Sequence, residues 1–304
     1  MPAWKEFPKM SFELVDTTYE PYSQDPGYIA ANEALIDGIA LEGVARVADL
    51  ACGTGLLSQL LIRRAPGLTV CAIDLDPVQI GIATRTFEGQ GVRVVDSLDA
   101  LRAAGTGAVH LRAASAMELP FDDGEIDLIV QGNSIHLMPD RAAFLREVAR
   151  VLRPGGRFVF NSVFYVGTFV PGSEAVFSEW MKEAVLVLNR MNAERAARGE
   201  PGIPRKRGTH GRAFQKDWLS AEGWSAALAE AGIDTLSAGH RPVPISQKGL
   251  QLVGAYGGLA EVLMSGYPVD IASECLQEGA VRAFENLGIT EVPRNWLEIT
   301  AVRR

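Results

Sequence analysis

Nine consecutive residues, Val47-Ala48-Asp49-Leu50-Ala51-Cys52-Gly53-Thr54-Gly55, constrain this chain more than any others. An apolar run, Val44 to Leu50, ends in a turn of small residues, and a segment with helical spacing, Leu56 to Arg64, begins at once. Such a unit presents the free N–H groups and positive dipole end of a helix to whatever lies beyond the strand. Gly53 and Gly55 permit backbone conformations and close approaches that a Cβ would forbid. A second strand-like run, Thr69 to Ile73, leads to the acidic Asp74, and Pro77 then suits the first turn of another helix.

The alternation continues. Val109 to Ala113, Ile126 to Val130 and Arg157 to Val163 read as buried strands. Arg141 to Leu152 places Phe144, Leu145, Val148, Val151 and Leu152 on one helical face, and Arg153-Pro154-Gly155-Gly156 stops it. Further on come a helix at Trp224 to Ala231, a strand at Asp234 to Arg241, helices near 246–264 and 270–286, and a strand at Trp296 to Val302. Seven strands alternating with helices predict an α/β fold, a mostly parallel sheet covered on both faces. Residues 84–108 are longer than a simple connection and leave room for a helix around Val95 to Ala104.

Four parts are expected. Residues 1–43 form an N-terminal helical segment, with a helix from about Pro26 to Ile39, and 44–167 form the core. Residues 168–222 form a helical lid, with a helix from Ser173 to about Arg198 followed by a Gly/Pro/Arg-rich stretch, and 223–304 complete the sheet with a helical insertion.

A net charge of −8 repels phosphate backbones and anionic lipid surfaces, which argues against nucleic-acid and membrane partners. The one basic run, Arg205-Lys206-Arg207 with Arg212 beyond it, reads as a solvated loop. Cys52, Cys71 and Cys275 fit neither a disulfide framework nor a zinc site, no metal is expected, and a cytoplasmic location follows. No apolar stretch nears the roughly 20 residues needed to span a bilayer.

Dinucleotides and S-adenosylmethionine (SAM) both use a glycine turn with an acidic residue after the second strand, where it can accept the hydroxyls of a ribose. The dinucleotide pattern asks for a third glycine where Ser58 stands, and the negative charge of Asp49 suits an ammonium better than a pyrophosphate. The balance favours SAM.

Asp49-Leu-Ala-Cys-Gly-Thr-Gly55 resembles motif I of class I SAM-dependent methyltransferases. The likeness continues in order through Ala116-Met117-Glu118-Leu119-Pro120-Phe121, Ile126-Asp127-Leu128-Ile129-Val130, Ile135-His136-Leu137-Met138-Pro139-Asp140 and Arg150-Val151-Leu152-Arg153-Pro154-Gly155-Gly156. It covers residues 28–165, and the broad group that includes ubiquinone and menaquinone methyltransferases is the most similar.

The resemblance implies a Rossmann-like sheet, with SAM as cofactor and S-adenosylhomocysteine as product. Asp49, Ala51, Gly53, Thr54 and Gly55 would surround the methionine end, Asp74 the ribose, and Leu75 the adenine, with Ala116 and Met117 at its edge and Gln131 beside the methionine carboxylate or amine. Many relatives carry an aspartate where Ser115 stands; a serine hydroxyl can accept the same bond as a shorter, neutral partner. His136 is a candidate base, with His210 in the expected lid as a second. Tyr19 and Tyr22 precede the first core helix, where relatives fold a segment over the cofactor, and Tyr22 is also a catalytic candidate. Trp218, Trp224, Phe164, Tyr165 and Phe169 could wall an apolar acceptor pocket or fill the core, and His110 and His240 read as structural or exposed.

The expected reaction is in-line transfer of the sulfonium methyl to O, N or C of a small acceptor such as a quinone, polyketide or other secondary metabolite. Positioning and desolvation would carry the catalysis. A homodimer is compatible with this reading. Three other readings stay open: a SAM-binding fold turned to cyclisation or rearrangement, a SAM-binding scaffold, and a dinucleotide oxidoreductase.

Overall fold

The computed structural model describes residues 14–206 and 218–304; His210, Arg207 and Arg212 lie outside them. The described residues fall into two compact units. One comprises Pro26–Pro171, 218–244 and Pro293–Arg304, the other 14–25, 172–206 and 245–292.

In chain order, α1 (Glu20–Ser23) belongs to the second unit and α2 (Pro26–Asp37) opens the first. Then come β1 (Arg46–Leu50), α3 (Leu56–Arg64), β2 (Thr69–Asp74), α4 (Pro77–Gly89), β3 (Val94–Val95), α5 (Leu98–Ala104) and β4 (Ala108–Ala113). β5 (Ile126–Gly132), a 3-10 turn (Ile135–Leu137), α6 (Arg141–Val151) and β6 (Leu152–Ser162) follow. The remaining elements are α7 (Glu174–Ala197), α8 (Ala221–Glu230), β7 (Ile233–Ser246), α9 (Gln247–Ala255), α10 (Gly257–Leu263), α11 (Val269–Leu287) and β8 (Glu291–Arg303).

The strands form one sheet in the order β3-β4-β2-β1-β5-β6-β8-β7. The pairs from β3 through to β6 are parallel, and β8 runs antiparallel to β6. Val47, Ala48, Asp49 and Leu50 are all buried, as a central parallel strand covered on both faces requires. One face packs Phe144, Phe158, Phe160 and Trp224, and the other packs Leu57, Leu60, Leu61 and Phe87. Each such side chain contributes roughly 1.5–3 kcal/mol of burial.

The sheet has eight strands where the sequence predicts seven. The additional one is β3, which pairs Val94 with Val109 and Val95 with His110; two residues are too few to show a period. The helix expected between 84 and 108 is α5, capped by Ser97 onto the Ala100 N–H. Arg153-Pro154-Gly155-Gly156 is a bulged start to β6, not a plain stop. Leu152 already pairs with Ile126, the register then shifts, and a Cβ on Gly156 would lie 2.8 Å from the Arg153 carbonyl oxygen.

In the second unit α7 crosses α11 closely, because Gly279 brings its backbone against Ala184; a Cβ there would sit 2.7 Å from the Ala184 nitrogen. Trp180 donates from Nε1 to the Leu276 carbonyl at 2.8 Å, and Glu278 accepts two bonds from Arg190, each 2.7 Å. Val15 is pinned to the same helix by paired bonds with the Gln277 amide. No helix of the described residues is long and apolar enough to cross a membrane.

Candidate functional site

Parallel β1, β2 and β5 bring their carboxyl ends to one edge of the sheet, and with them Asp49, Asp74 and Gln131. Asp49 is 1% exposed. Its Oδ2 accepts from the Ser58 N–H at 3.1 Å and hydroxyl at 2.6 Å, whereas its Oδ1 is buried with no partner. Burial pushes the Asp49 carboxyl up to about 7, against the pull of the two Ser58 bonds. The wholly buried Gln131 has a partner on neither its amide oxygen nor its amide nitrogen. Orphaned polar atoms of this kind are rare in protein interiors and point to a polar ligand.

The Asp74 carboxylate is oriented by backbone. The Gly53 N–H donates to one oxygen at 2.7 Å and the Asp76 N–H to the other at 2.9 Å, leaving further lone pairs on both. Asp76 itself caps α4 through the Val78 N–H at 2.8 Å. Leu75, next in the chain, is 76% exposed, an apolar surface at the sheet edge. Ala51 (φ 52°) and Asn133 (φ 46°) are the non-glycine residues with left-handed backbone among those described, and they follow β1 and β5 at this edge. Strained backbone collects at functional sites. Gly55 also has positive φ, at 83°, and a Cβ there would lie 3.0 Å from the Phe87 ring, so its smallness serves the packing of α3 on α4. Thr54 is buried in the turn, and its carbonyl accepts from the Gln59 amide.

At the adenine-side segment, the Ser115 hydroxyl accepts from the Met117 N–H at 3.1 Å on the exposed surface. Ala116 is buried and Met117 packs against the core behind it.

His136 lies in the 3-10 turn after β5, its ring centroid 3.9 Å from that of Phe164. Its Nδ1 is buried without a partner, and burial, then the nearby Arg294 charge, push the imidazole down to about 3, so it is neutral at physiological pH. Trp218 meets Phe164 edge-on at 5.9 Å. Trp224 instead joins the core against Phe160, while Phe169 is 38% exposed. Tyr165 is buried with an unpartnered hydroxyl and raised to about 12 by desolvation. His110 bonds the Val95 carbonyl at the sheet edge, and His240 lies exposed beside Tyr165. Tyr19 and Tyr22 fall in the other unit, in an aromatic cluster with Tyr256.

Sequence reasoning missed Ser58, Arg294 and a buried chain of amides. Asn161 donates to the Asn32 side chain and accepts from the Asn133 N–H, and the Asn133 side chain accepts from the Val163 N–H. These bonds hold the left-handed turn that leads to His136. A lone asparagine closing the apolar run Phe158-Val159-Phe160 was the available signal.

The arrangement fits SAM. The unpaired Asp49 oxygen suits an ammonium, the Gln131 amide a carboxylate or amine, Asp74 two vicinal hydroxyls, and Leu75 the face of a flat base. It does not fit a pyrophosphate, because the Asp49 carboxylate already occupies the α3 amino end through Ser58 and would repel a second anion.

Residues 48–160 match the family described as "Methyltransferase domain". Demethylmenaquinone methyltransferase of Thermus thermophilus is 36% identical over 114 residues, 38% of this chain and 45% of that protein. Methyltransferase GfsG of Streptomyces halstedii is 31% identical over 160 residues, 52% of each chain. The chain thus spans about half the length of these curated relatives. Among solved structures, the [4+2]-cyclase SpnF shares the fold, with a TM-score of 0.51 at 18% identity over 92% of this chain and 85% of that one. Motif order, sheet topology and the unpaired groups along the strand ends agree with the match of residues 48–160 to a methyltransferase domain.

Proposed function

We propose that this chain transfers a methyl group from SAM to an O, N or C nucleophile of a small organic acceptor such as a quinone, a polyketide or another secondary metabolite. The observation that carries the reading is the pair of unsatisfied buried groups, Asp49 Oδ1 and the Gln131 amide, on neighbouring strands beside the Gly53-Thr54-Gly55 turn. When bound, the sulfonium supplies an electrophilic methyl whose leaving group is a neutral thioether.

The chain's own part is binding, orientation and exclusion of water. Asp49 regains its full charge when an ammonium pairs with it, and Gln131 gains the hydrogen bonds it lacks. Asp74 fixes the ribose end through an orientation set by two backbone N–H groups. Phe164 and Trp218 shield the His136 side from water. Tyr19 and Tyr22 remain proposed contributors, as does His210, which lies outside the described residues.

The test is calorimetric titration with S-adenosylhomocysteine, followed by transfer of label from methyl-labelled SAM across an acceptor panel. Asp74→Ala should weaken product binding by roughly 10- to 100-fold, since hydrogen bonds to a charged group contribute about 1.5–3 kcal/mol. Turnover of an acceptor with SAM unspent would overturn the transfer reading in favour of a fold turned to other chemistry.

A further inference from the structure

Arg294 lies near the start of β8, and because β8 runs antiparallel to β6, it lies at the same end of the sheet as the carboxyl ends of the parallel strands. Its backbone bridges Phe169, and its guanidinium is held from two sides. Nε donates to the Thr168 hydroxyl at 3.0 Å, and Nη2 donates to the Val163 carbonyl at 3.1 Å. Thr168 is itself 2% exposed and fixed by a 2.7 Å bond to the same carbonyl. The guanidinium carbon lies 5.6 Å from the centroids of both Phe164 and Phe169. A fixed cation thus stands among aromatic rings, one of which touches His136 at 3.9 Å.

Two neutral groups sit within reach of that charge, His136 and Tyr165, each with an unpartnered buried polar atom. Arg294 is the charge acting on both among the described residues, and it opposes the formation of an imidazolium. Among the described residues, the His240 ring lies 6.5 Å from that of Tyr165, and His240 in turn acts on Glu222. A general base needs a proton affinity near the working pH, and neither His136 nor Tyr165 has one.

We infer that Arg294 is the acceptor-recognising cation of this site, and that the acceptor's nucleophile is an acidic hydroxyl, a phenol or enol, bound as its oxyanion rather than deprotonated by His136. The inference rests on the methyl-transfer reading and names the acceptor class within it. The acceptor loses its proton to water as it binds, and the oxyanion pairs with the guanidinium. Transfer forms an O–C bond and breaks the C–S bond, whose electron pair stays on sulfur. Both products, an ether and a thioether, are uncharged at the reacting atoms. The ether no longer pairs with Arg294, which favours its release. For an alcohol or amine that must be deprotonated in place, neither His136 nor Tyr165, the two groups beside Arg294 among the described residues, is a base of adequate strength.

The probe is 4-nitrophenol, whose phenolate and phenol forms differ in absorbance, titrated with pH against protein alone and protein saturated with S-adenosylhomocysteine. A nearby fixed cation should lower the ionisation pH of the bound probe by about one unit or more. Arg294→Met should abolish the shift and Arg294→Lys should keep part of it, while His136→Gln leaves it in place. Calorimetric binding of S-adenosylhomocysteine, unchanged in all three, serves as the folding control. An unshifted or raised ionisation pH, an equal shift in Arg294→Met, or no binding of the probe to protein that binds S-adenosylhomocysteine would overturn the inference and leave the methyl-transfer reading standing. Loss of S-adenosylhomocysteine binding in the wild type would instead sink that reading, and the shift measured on protein alone would still decide the role of Arg294.

Discussion

Asp49→Asn should have opposite effects on stability and on cofactor binding. The Asp49 carboxyl titrates near 7 in the folded protein, against an ordinary value of 3.8. The folded state therefore holds a proton that the unfolded state has released, and stability falls as pH rises through that window. The penalty is small below pH 4 and complete above pH 7, where a rise of about three units corresponds to about 4 kcal/mol. Asparagine carries no charge and can still accept from Ser58, but its amide nitrogen replaces Oδ1 as a buried orphan, costing about 1–3 kcal/mol. The net expectation is a ligand-free protein more stable than wild type by about 1–3 kcal/mol at pH 8, with the advantage gone or reversed at pH 4. Urea titrations at the two pH values read this directly. Loss of the charge should also weaken S-adenosylhomocysteine binding by roughly 10- to 100-fold at pH 8, the worth of a charge-assisted hydrogen bond. A variant equally destabilised at both pH values, or one that binds product as tightly as wild type, would refute the argument that this carboxylate is held strained for an ammonium.

Gly55→Ala should cost at least about 1–2 kcal/mol, from left-handed backbone and the 3.0 Å approach of its Cβ to Phe87, as read from thermal melts of the ligand-free protein. Asn161→Ala orphans the Asn32 side-chain oxygen and leaves the Asn133 N–H only the Asn161 backbone carbonyl; a loss of about 1–3 kcal/mol in urea unfolding is expected, with product binding weakened through the loosened turn. His136 stays neutral when folded but takes a proton near its ordinary 6.5 when unfolded, so its contribution is present above that pH and lost as pH falls toward 3. His136→Gln should therefore lose less stability than wild type between pH 7 and pH 5, measured by the shift in urea midpoint.

The parallel core was legible because strands buried on both faces announce themselves as continuous apolar runs, and β1, β2, β4 and β5 lie within a residue or two of their expected bounds. β3 was not, since its pairing depends on β4 rather than on any pattern of its own. Leu152 joined a strand because Ile126 was there to pair with it, which no local reading of Arg153-Pro154-Gly155-Gly156 could supply. In the site, Asp74 stands out in the sequence from its place at the end of a strand, Asp49 from its charge beside the glycine turn, and Gln131 only through the family resemblance. Ser58 acts through Asp49 across the turn, and Asn161 and Arg294 through distant partners; Arg294 reaches Val163 across 131 positions and Asn161 reaches Asn32 across 129. A Ser, an Asn or an Arg carries no signature of such a partner until the chain has folded.

The position of β8 between β6 and β7 has a consequence for how the chain is made. A ribosome delivers β7 before β8, so β7 emerges without its neighbour in the sheet and cannot bridge to β6 itself. Until residues 291–303 follow, the nascent domain exposes two open strand edges, and Arg294 arrives only with that late segment. Long-range pairing of this kind closes slowly and leaves an aggregation-prone intermediate. Synthesis stalled after β7 should yield a chain that holds its first six strands yet lacks the cationic edge, a species that leans on holding chaperones until β8 slides into place.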